Sequence, residues 1–399
     1  MEFQPIILGA DITAYSLARS FHEEYGIKSI TLSMTRSGYV NSSSIIENRY
    51  YPDMDKKEVA LDVLIKTGKE FEGKKKLIIF GCGDWYVRMI IENKDVLSQY
   101  YIIPYIDEDL LNRIVLKDGF YDICEELGID YPKTYYYDFD KDNDLNFDFD
   151  YPVIAKPANS AMYHYAQFEG KKKVFKFDTE EELKDMMARI KDSGYKYKFL
   201  IQDMIPGDDT YMRILTVYCD KNSKVRFASF GRTLLEDPSP TAIGNPVAII
   251  NEVNEEIVAQ ATKFLESIGY VGFANFDIKY DERDGKYKFF EINVRLGRSN
   301  FYVTGSGFNH VKWIVDDYIY DNVGDYTIAD KEHLYTVVPK SVIKNYVHDE
   351  DIKNKALALW KDGKATNPLL YSGDKSLKQR YYAYGAYYNY TRKFKRYGK

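Results

Sequence analysis

In the first hundred residues, short runs of hydrophobic positions alternate with amphipathic stretches, in which hydrophobic and polar positions are mixed. The runs PIILG, SITLS, KLIIFG and YIIPY are typical of buried strands, and helical spacing runs through Ala18 and Phe21 and from Val59 to Phe71. Because strands and helices take turns, the pattern predicts an open parallel sheet of βαβ units.

The turn after the first strand has two features of a phosphate site. Gly9 follows the strand, and Asp11 is placed to cap the next helix. The full G-x-G-x-x-G fingerprint is missing, which favours a structural or substrate-facing turn over a dinucleotide site.

The pattern changes after residue 110. Lys117 lies just ahead of a helix that ends at Gly128, a typical C-cap, and the strand YPVIAKPA carries Lys156 at its end. Further on, Pro206-Gly207 breaks two apolar strands in KFLIQDMIPGDDTYMRILTVY. Such a break exposes backbone N–H and C=O groups, which an adenine edge can use as a neighbouring strand would.

The acidic segment Asp138–Asp150 partly resembles a calcium loop. Asp138, Asp140 and Asp142 match the first ligand positions, but Asn143 replaces the turn glycine and Phe149 stands where the closing glutamate belongs. A polar connecting loop is the better interpretation.

The stretch FANFDIKYDERDGKYKFFEINVRLGRSN, residues 273–300, predicts a hairpin around the turn Asp284-Gly285. If its strands pair, the side-chain oxygens of Asp277, Glu291 and Asn293 converge, and such hard ligands suit Mg²⁺. Arg295 would then lie beside a metal-bound phosphate. The alternative is an exposed hairpin with solvated acids, but it explains the polar face of Glu-Ile-Asn-Val-Arg poorly.

Composition narrows the possible functions. The 399 residues carry a net charge of −6, which argues against general nucleic-acid binding. Three scattered cysteines indicate buried thiols in a reducing compartment, and no basic leader or membrane-length apolar run is found. We therefore expect a cytoplasmic, soluble protein. The five histidines have no metal-ligand spacing; His164 follows Lys156 and is either near substrate or incidental.

The order of these features resembles the ATP-grasp superfamily of carboxylate-amine ligases. Lys117, Lys156, the run Gln202–Ile205 with Asp209, Asp277, and Glu291-Ile-Asn293-Val-Arg295 occur in the order of that family's motifs. The resemblance implies an α/β (α+β) ATP-grasp fold with an N-terminal Rossmann-like open parallel sheet domain and a C-terminal extension. It implies domains at 1–113, 114–330 (subdomains 114–200 and 201–330) and 331–399.

Carried over residue by residue, the resemblance implies a complete ATP site with Mg²⁺. It has two departures: Gln202 replaces the usual acid that opens the hinge, and Asn159-Ser160-Ala161-Met162 replaces the glycine-rich phosphate loop. The implied nucleotide contacts are Lys117, Lys156 and Ser160 for phosphates, Gln202, Asp203 and Ile205 for adenine, and Asp209 for ribose; the implied metal ligands are Asp277, Glu291 and Asn293.

Four segments are similar to the D-aspartate ligases of bacterial cell-wall synthesis: ILGADITAYSLARSFHEEYGI, RIVLKDGFYDICEELGIDYPKT, KPANS and LLEDPSPTAIGNP. This resemblance implies that ATP activates a carboxylate as an acyl phosphate, which the lysine amine of a peptidoglycan precursor attacks. Arg295, with Arg232 as a second candidate, is assigned to the developing negative charge.

Substrate residues are expected beyond the metal strand. Arg298, Ser299 and Asn300 are placed to hold the α-carboxylate of the amino acid, since arginine binds carboxylates through paired hydrogen bonds. A surface salt bridge is the alternative for Arg298. The loop 241–246, with Asn245, either lines the acceptor pocket or is a plain turn.

The tail KQRYYAYGAYYNYTRKFKRYGK is basic and rich in tyrosine, in contrast to the acidic remainder. It is either a contact for an anionic nucleotide-sugar or membrane surface, or a terminal helix packed through its tyrosines, which the lack of a clean apolar face favours. Oligomeric state is not predicted. Besides the D-aspartate-type ligase, the alternatives are an ATP-grasp ligase for another amino acid and peptide pair, a small-molecule kinase and a catalytically silent nucleotide-binding module.

Overall fold

The computed structural model describes residues 2–141, 145–158, 163, 166–172, 174–240 and 242–398. The chain forms two compact units. Unit 1 consists of Met1–Val115, Asp208–Ile278 and Glu291–Lys399, and unit 2 consists of Leu116–Gly207 and Lys279–Phe290. The three-domain division remains a prediction.

Unit 1 begins with a five-stranded parallel sheet in the order β3-β2-β1-β4-β5. This is the open parallel sheet that the sequence predicts. Its strands are β1 Phe3–Leu8, β2 Ser29–Ser33, β3 Ile46–Tyr50, β4 Lys76–Gly81 and β5 Tyr101–Ile102. The accompanying helices are α1 Ile12–Tyr25, α2 Gly38–Asn41, α3 Lys57–Phe71, α4 Asp84–Glu92, α5 Lys94–Leu97 and α6 Glu108–Val115.

The start of α1 matches the expected cap. The Asp11 carboxylate accepts hydrogen bonds from the backbone N–H groups of Thr13 and Ala14, at 3.0 and 3.2 Å. These contacts satisfy two of the amide groups that a helix N-terminus leaves without intrahelical partners.

A second sheet, mostly antiparallel, has the order β14-β13-β10-β11-β12-β16-β17, with β15 paired to β11. Strands β13 and β14 each contain residues of both units, because the division falls after Ile278 and after Phe290. The strands are β10 Met212–Cys219, β11 Val225–Glu236, β12 Pro246–Glu252, β13 Gly272–Asp281, β14 Lys286–Asn293, β15 Thr327–Ile328, β16 Leu334–Thr336 and β17 Ala365–Thr366.

The C-terminal segment belongs to unit 1. Its strands β16 and β17 extend the second sheet from β12. The remaining helices of unit 1 are α9 Glu255–Ser267, α10 Phe301–Gly305, α11 His310–Tyr318, α12 Lys340–Tyr346, α13 Glu350–Lys361 and α14 Leu377–Tyr397, and a 3₁₀ turn spans Asp209–Tyr211. Buried aliphatic and aromatic residues from both ends of this unit's sequence form one continuous core, which stabilises it.

Unit 2 is a four-stranded sheet in the order β6-β9-β7-β8 with antiparallel neighbours. Its strands are β6 Thr134–Tyr137, β7 Val153–Pro157, β8 Phe175–Phe177 and β9 Phe199–Asp203, and its helices are α7 Lys117–Leu127 and α8 Glu180–Asp192. Gly128 ends α7 with a φ of 67°, the left-handed cap that the sequence predicts. An aromatic-rich core supports the sheet.

Candidate active site

The predicted magnesium ligands lie together in unit 1. Asn293 Nδ2 donates to Asp277 Oδ2 at 3.2 Å. Burial, and then the negative charge of Glu291, raise the pKa of Asp277 well above its ordinary range. The hairpin thus places two carboxylates and one amide side by side, as strand alternation predicts.

This donor set fits Mg²⁺. Two adjacent carboxylates in a partly buried site repel each other, and a divalent cation with a preference for oxygen ligands removes that repulsion. Within the described part of the chain, no group of three or more His, Cys, Asp and Glu side chains is arranged to hold a metal. The set here differs because its third member, Asn293, is an amide.

Arg295 lies two residues after Asn293, the last residue of β14. Its Nε donates to Asp84 Oδ1 at 2.6 Å, and its Nη1 donates to the carbonyl of Leu296 at 3.2 Å. The charge of Asp277 also acts on this guanidinium. Arg295 is therefore held near the carboxylate pair, by a partner in α4 that the sequence did not reveal.

The second arginine candidate is held differently. Arg232 Nε donates to the carbonyl of Thr210 at 2.9 Å, and its Nη2 lies 3.4 Å from Asp349 Oδ2. The expected ribose ligand, Asp209, accepts the backbone N–H of Glu236 at 2.8 Å. Asp209 and Glu236 border a cavity of about 280 Å³ in unit 1.

The residues expected to hold the amino acid differ in accessibility. Arg298 is exposed, and its Nη1 lies 3.3 Å from Asp11 Oδ2, as in the salt-bridge alternative. Ser299 and Asn300 are buried, and their side-chain polar atoms have no hydrogen-bond partner among the described residues. Asn300 borders a cavity of about 10 Å³, room for about one water molecule. In this conformation only Arg298 of the three presents its side chain to a dissolved amino acid.

Asn245 favours the plain-turn alternative for its loop. Its side-chain amide donates to the carbonyl of Ala242 at 2.8 Å, so the turn itself engages this group. Its backbone carbonyl accepts the N–H of Asp237 at 2.9 Å. Thr241, which opens the loop, lies outside the described residues.

The expected adenine hinge lies in unit 2 and begins with the last two residues of β9. The Gln202 side chain is buried, and its Nε2 donates to Tyr121 Oη at 3.0 Å and Thr134 Oγ1 at 2.7 Å. The Asp203 carboxylate accepts two hydrogen bonds from Arg283, at 3.0 and 2.6 Å. Because these two side chains are engaged internally, the hinge backbone remains the expected contact for adenine, as the resemblance implies.

The two expected phosphate lysines both lie in unit 2. Lys117 is the first residue of α7, and Lys156 lies on β7 opposite Leu200 of β9. Both side chains are half-buried. Ser160, the substituted phosphate loop around it and His164 lie outside the described residues, so their assigned roles remain predictions.

Comparison with known proteins identifies the family of this chain. A family model described as "Carbamoyl-phosphate synthase L chain, ATP binding domain" matches residues 212–307, the stretch that contains the three metal candidates and Arg295. A D-aspartate ligase of Enterococcus faecium (strain Aus0004) is 39% identical over 407 residues, which cover 99% of this chain and 97% of that protein. The chain belongs to the D-aspartate ligase family.

Solved structures confirm the ATP-grasp fold of this D-aspartate ligase family member. An L-amino acid ligase from Bacillus licheniformis is 16% identical with a TM-score of 0.54, covering 79% of this chain and 74% of its own. The biotin carboxylase domain of Hydrogenobacter thermophilus 2-oxoglutarate carboxylase, solved with MgADP, ADP and bicarbonate, is 13% identical with a TM-score of 0.61 and covers 84% and 73%. Phosphoribosylamine–glycine ligase from Thermotoga maritima is 13% identical with a TM-score of 0.55 and covers 83% and 78%.

These comparisons confirm the expected class of enzyme. This member of the D-aspartate ligase family is an ATP-dependent, ADP-forming carboxylate-amine ligase. The Hydrogenobacter thermophilus structure contains MgADP, in line with the expected cofactors. None of the described helices combines the length and apolarity needed to span a membrane.

One contact of the hinge was missed in the sequence. Lys279 Nζ donates to the carbonyls of Ile205 and Gly207, both at 2.9 Å. The available signal was a lysine two residues after Asp277, on the same face of a largely buried strand.

Proposed function

We propose that this protein uses ATP to activate the side-chain carboxylate of D-aspartate and joins it to the lysine amine of a peptidoglycan precursor. The observation that carries the proposal is the 39% identity to a D-aspartate ligase over nearly the whole of both chains. The adjacent Asp277 and Glu291 carboxylates with Asn293 support it, because an ATP-dependent ligase needs a magnesium site.

The proposed reaction has two balanced steps. A carboxylate oxygen attacks the γ-phosphorus of ATP, the bond to the bridging oxygen breaks, and ADP leaves. The amine then attacks the acyl carbon, loses a proton, and inorganic phosphate leaves with the electrons of the carbon–oxygen bond. The residues act mainly by positioning reactants and stabilising charge.

The metal candidates and the two arginine candidates have separate roles in the proposed reaction. Asp277, Glu291 and Asn293 would hold Mg²⁺, which supplies positive charge for the phosphate oxygens. Arg295 stabilises the negative charge of the acyl phosphate and of the tetrahedral intermediate, with Arg232 as a second candidate.

The nucleotide and the amino acid have separate sets of contacts. Lys117 and Lys156 bind phosphates, and the backbone of the hinge binds adenine. Arg298 binds the α-carboxylate of the amino acid, and Asp11, whose Oδ2 lies 3.3 Å from Arg298 Nη1, binds its ammonium group.

A phosphate-release screen over D- and L-amino acids tests the proposal. Purified protein is supplied with MgATP, one amino acid and, in parallel, a lysine-containing muropeptide nucleotide, and products are identified by mass spectrometry. D-Aspartate with the acceptor should give ADP, phosphate and a new amide in equal amounts. Phosphorylation without an amide would support a kinase, and no turnover with any carboxylate would support a silent nucleotide-binding module.

The terminal helix supports a further partner. One face of α14 presents an exposed stripe at helical spacing, formed by Leu377, Tyr381, Tyr384 and Tyr388, whose exposed fractions are 78%, 75%, 43% and 61%. From Leu377 on, the chain carries seven Lys and Arg residues and no Asp or Glu. The opposite side is packed through Gln379, Ala383 and Phe394. Tyrosine beside cationic residues suits an anionic membrane surface, and we assign this stripe to such a contact.

Vesicle sedimentation tests that assignment. The protein should pellet with phosphatidylglycerol vesicles and not with phosphatidylcholine vesicles, and the double change Tyr384→Ser and Tyr388→Ser should weaken pelleting. Tyr320→Ser, an exposed tyrosine outside α14, is the control and should leave pelleting unchanged. Equal binding to both vesicle types, or a stripe-dependent dimer without lipid, would contradict the assignment.

A further inference from the structure

The hinge of unit 2 is held from one side by a single lysine. Lys279 lies on β13, and its ammonium group donates to two backbone carbonyls, those of Ile205 and Gly207, at 2.9 Å each. The two carbonyls flank Pro206, the residue that interrupts the strands. Fixing both oxygens restricts the backbone rotations between them, because peptide units are planar.

A second cation from the same hairpin holds the start of the hinge. Arg283 makes a paired contact with the Asp203 carboxylate, and its orientation is fixed in turn by Asp281, whose oxygens accept from Nε and Nη2 at 2.9 and 2.7 Å. The Asp203 backbone N–H donates to the carbonyl of Lys133 at 3.0 Å. Hence Asp203, at the start of the hinge, is held through both its side chain and its backbone.

Partial burial makes the contact between Lys279 and Ile205 important. Ile205 is buried and this hydrogen bond is partly buried, so without the ammonium group the carbonyl would lose a charged donor that water replaces only in part. Gly207 is exposed and has a φ of 97°, a backbone conformation that glycine adopts without the steric cost that a side chain would bring. A hydrophobic residue at position 279 would therefore loosen this segment without leaving a charge behind.

A cavity lies beside the anchored segment. It has a volume of about 190 Å³ and is bordered by Asp203 and Ile205 of the hinge and by Lys133, Arg283 and Lys288. A ligand that forms hydrogen bonds with the hinge backbone there depends on the positions of the hinge peptide groups. Those positions depend in turn on the contacts made by Lys279 and Arg283.

We propose that Lys279 is a positioning residue for the nucleotide, which holds the carbonyls of Ile205 and Gly207 so that the hinge backbone is in register for an adenine edge. This inference rests on the proposed function, in which the hinge binds adenine. Lys279 acts through the hinge and has no part in phosphoryl transfer or amide formation. Its loss therefore weakens nucleotide binding and leaves the chemical step unchanged.

Titration with a fluorescent ADP analogue in the presence of Mg²⁺ tests the inference on the full chain. Lys279→Met should raise the Kd about tenfold, the order expected when one charged hydrogen-bonding group is removed. The KM for ATP should rise by a similar factor, with kcat and the KM for D-aspartate within about twofold of the original values. Lys279→Arg, which keeps charge and donors, should restore much of the affinity.

A control from the same hairpin separates the hinge effect from a general loss of charge. Lys286 contacts Asp130 at 3.1 Å and is more than half exposed, so Lys286→Met should bind the analogue as the original protein does. Circular dichroism and thermal melting report whether each variant is folded. If Lys279→Met does not fold, Lys279→Gln takes its place with the same expected loss of affinity.

The outcomes distinguish this inference from the proposed function. If the original protein binds the analogue and catalyses ligation, but a folded Lys279→Met or Lys279→Gln binds equally well, the positioning role is wrong and the ligase remains. Equal loss of affinity in Lys286→Met would also overturn it. If the original protein binds no nucleotide, both proposals fail.

Discussion

Replacing Glu291 by Gln separates the stability of the proposed metal site from its function. The change removes one of two adjacent carboxylates and keeps nearly the same side-chain volume. Without metal, the remaining Asp277 then no longer faces a negative neighbour, whose charge together with burial raises its pKa. We expect the metal-free variant to be more stable than the original protein at pH 8 and to have lost ligase turnover.

The sign of the expected stability change follows from the direction in which the pKa of Asp277 is shifted. A carboxyl group whose pKa is higher in the folded state than in the unfolded state favours folding when protonated. Its ionisation therefore lowers the free energy of unfolding as pH rises from about 4 through the raised value. Two charges about 4 Å apart interact by about 1 kcal/mol in water and about 4 kcal/mol at an effective dielectric constant near 20. Glu291 is exposed, so screening favours the low end and we expect a gain of about 1 kcal/mol.

Urea denaturation with EDTA at pH 8 and pH 4 measures this gain, which should be present at pH 8 and nearly vanish at pH 4. Added MgADP should stabilise the original protein and have little effect on the variant, since ligands stabilise the state that binds them. Glu282→Gln, at the turn of the same hairpin, is the control and should show neither effect. A destabilised Glu291→Gln in metal-free buffer, or turnover like that of the original protein, would refute the reasoning.

Three further predictions concern other parts of the chain. Lys156→Ala should raise the KM for ATP about tenfold with a smaller change in kcat, measured by ADP release; an unchanged KM would exclude phosphate binding by this lysine. Arg298→Lys should raise the KM for D-aspartate about tenfold and leave the KM for ATP unchanged, because lysine lacks the planar fork; equal effects on both would indicate a structural role. Gly272→Ala should lower the free energy of unfolding by about 3–5 kcal/mol, since its Cβ would lie 2.1 Å from the Pro104 oxygen at a φ of +85°. Gly285→Ala also has a positive φ, but its nearest neighbour is 3.9 Å away, and chemical denaturation should show a cost of about 1 kcal/mol; equal costs at the two sites would contradict the clash.

The sequence predicted elements whose local pattern is strong. Apolar runs separated by helical spacing predicted β1, β2 and β4 with their helices, and the turn Asp284-Gly285 between alternating residues predicted the β13–β14 hairpin with its metal candidates. Strand β3 was missed because its sequence, IENRY, has an exposed and charged pattern and contains no apolar run. Its place in the sheet comes from pairing with β2, which no local pattern reveals.

The remaining parts depended on contacts between distant residues. Nothing near Gln202 in the sequence shows that its amide points to Tyr121 and Thr134, or that Lys279 reaches the hinge carbonyls. The packing of Ser299 and Asn300 was likewise hidden, because polar residues after a metal strand fit a substrate site and a buried turn equally well. For the terminal helix, composition suggested a basic, aromatic surface, while the structure was needed to tell its exposed stripe from its packed side.

The division of the chain has a practical consequence for protein engineering. The polypeptide passes between the units after Val115, Gly207, Ile278 and Phe290. Any continuous fragment that holds all of unit 2 also carries the stretch Asp208–Ile278, whose hydrophobic partners lie elsewhere in unit 1. Fragments made by cutting the gene at one or two points would therefore expose hydrophobic surface and be prone to aggregation. Chimeras with relatives are better made by exchanging Leu116–Gly207 and Lys279–Phe290 together.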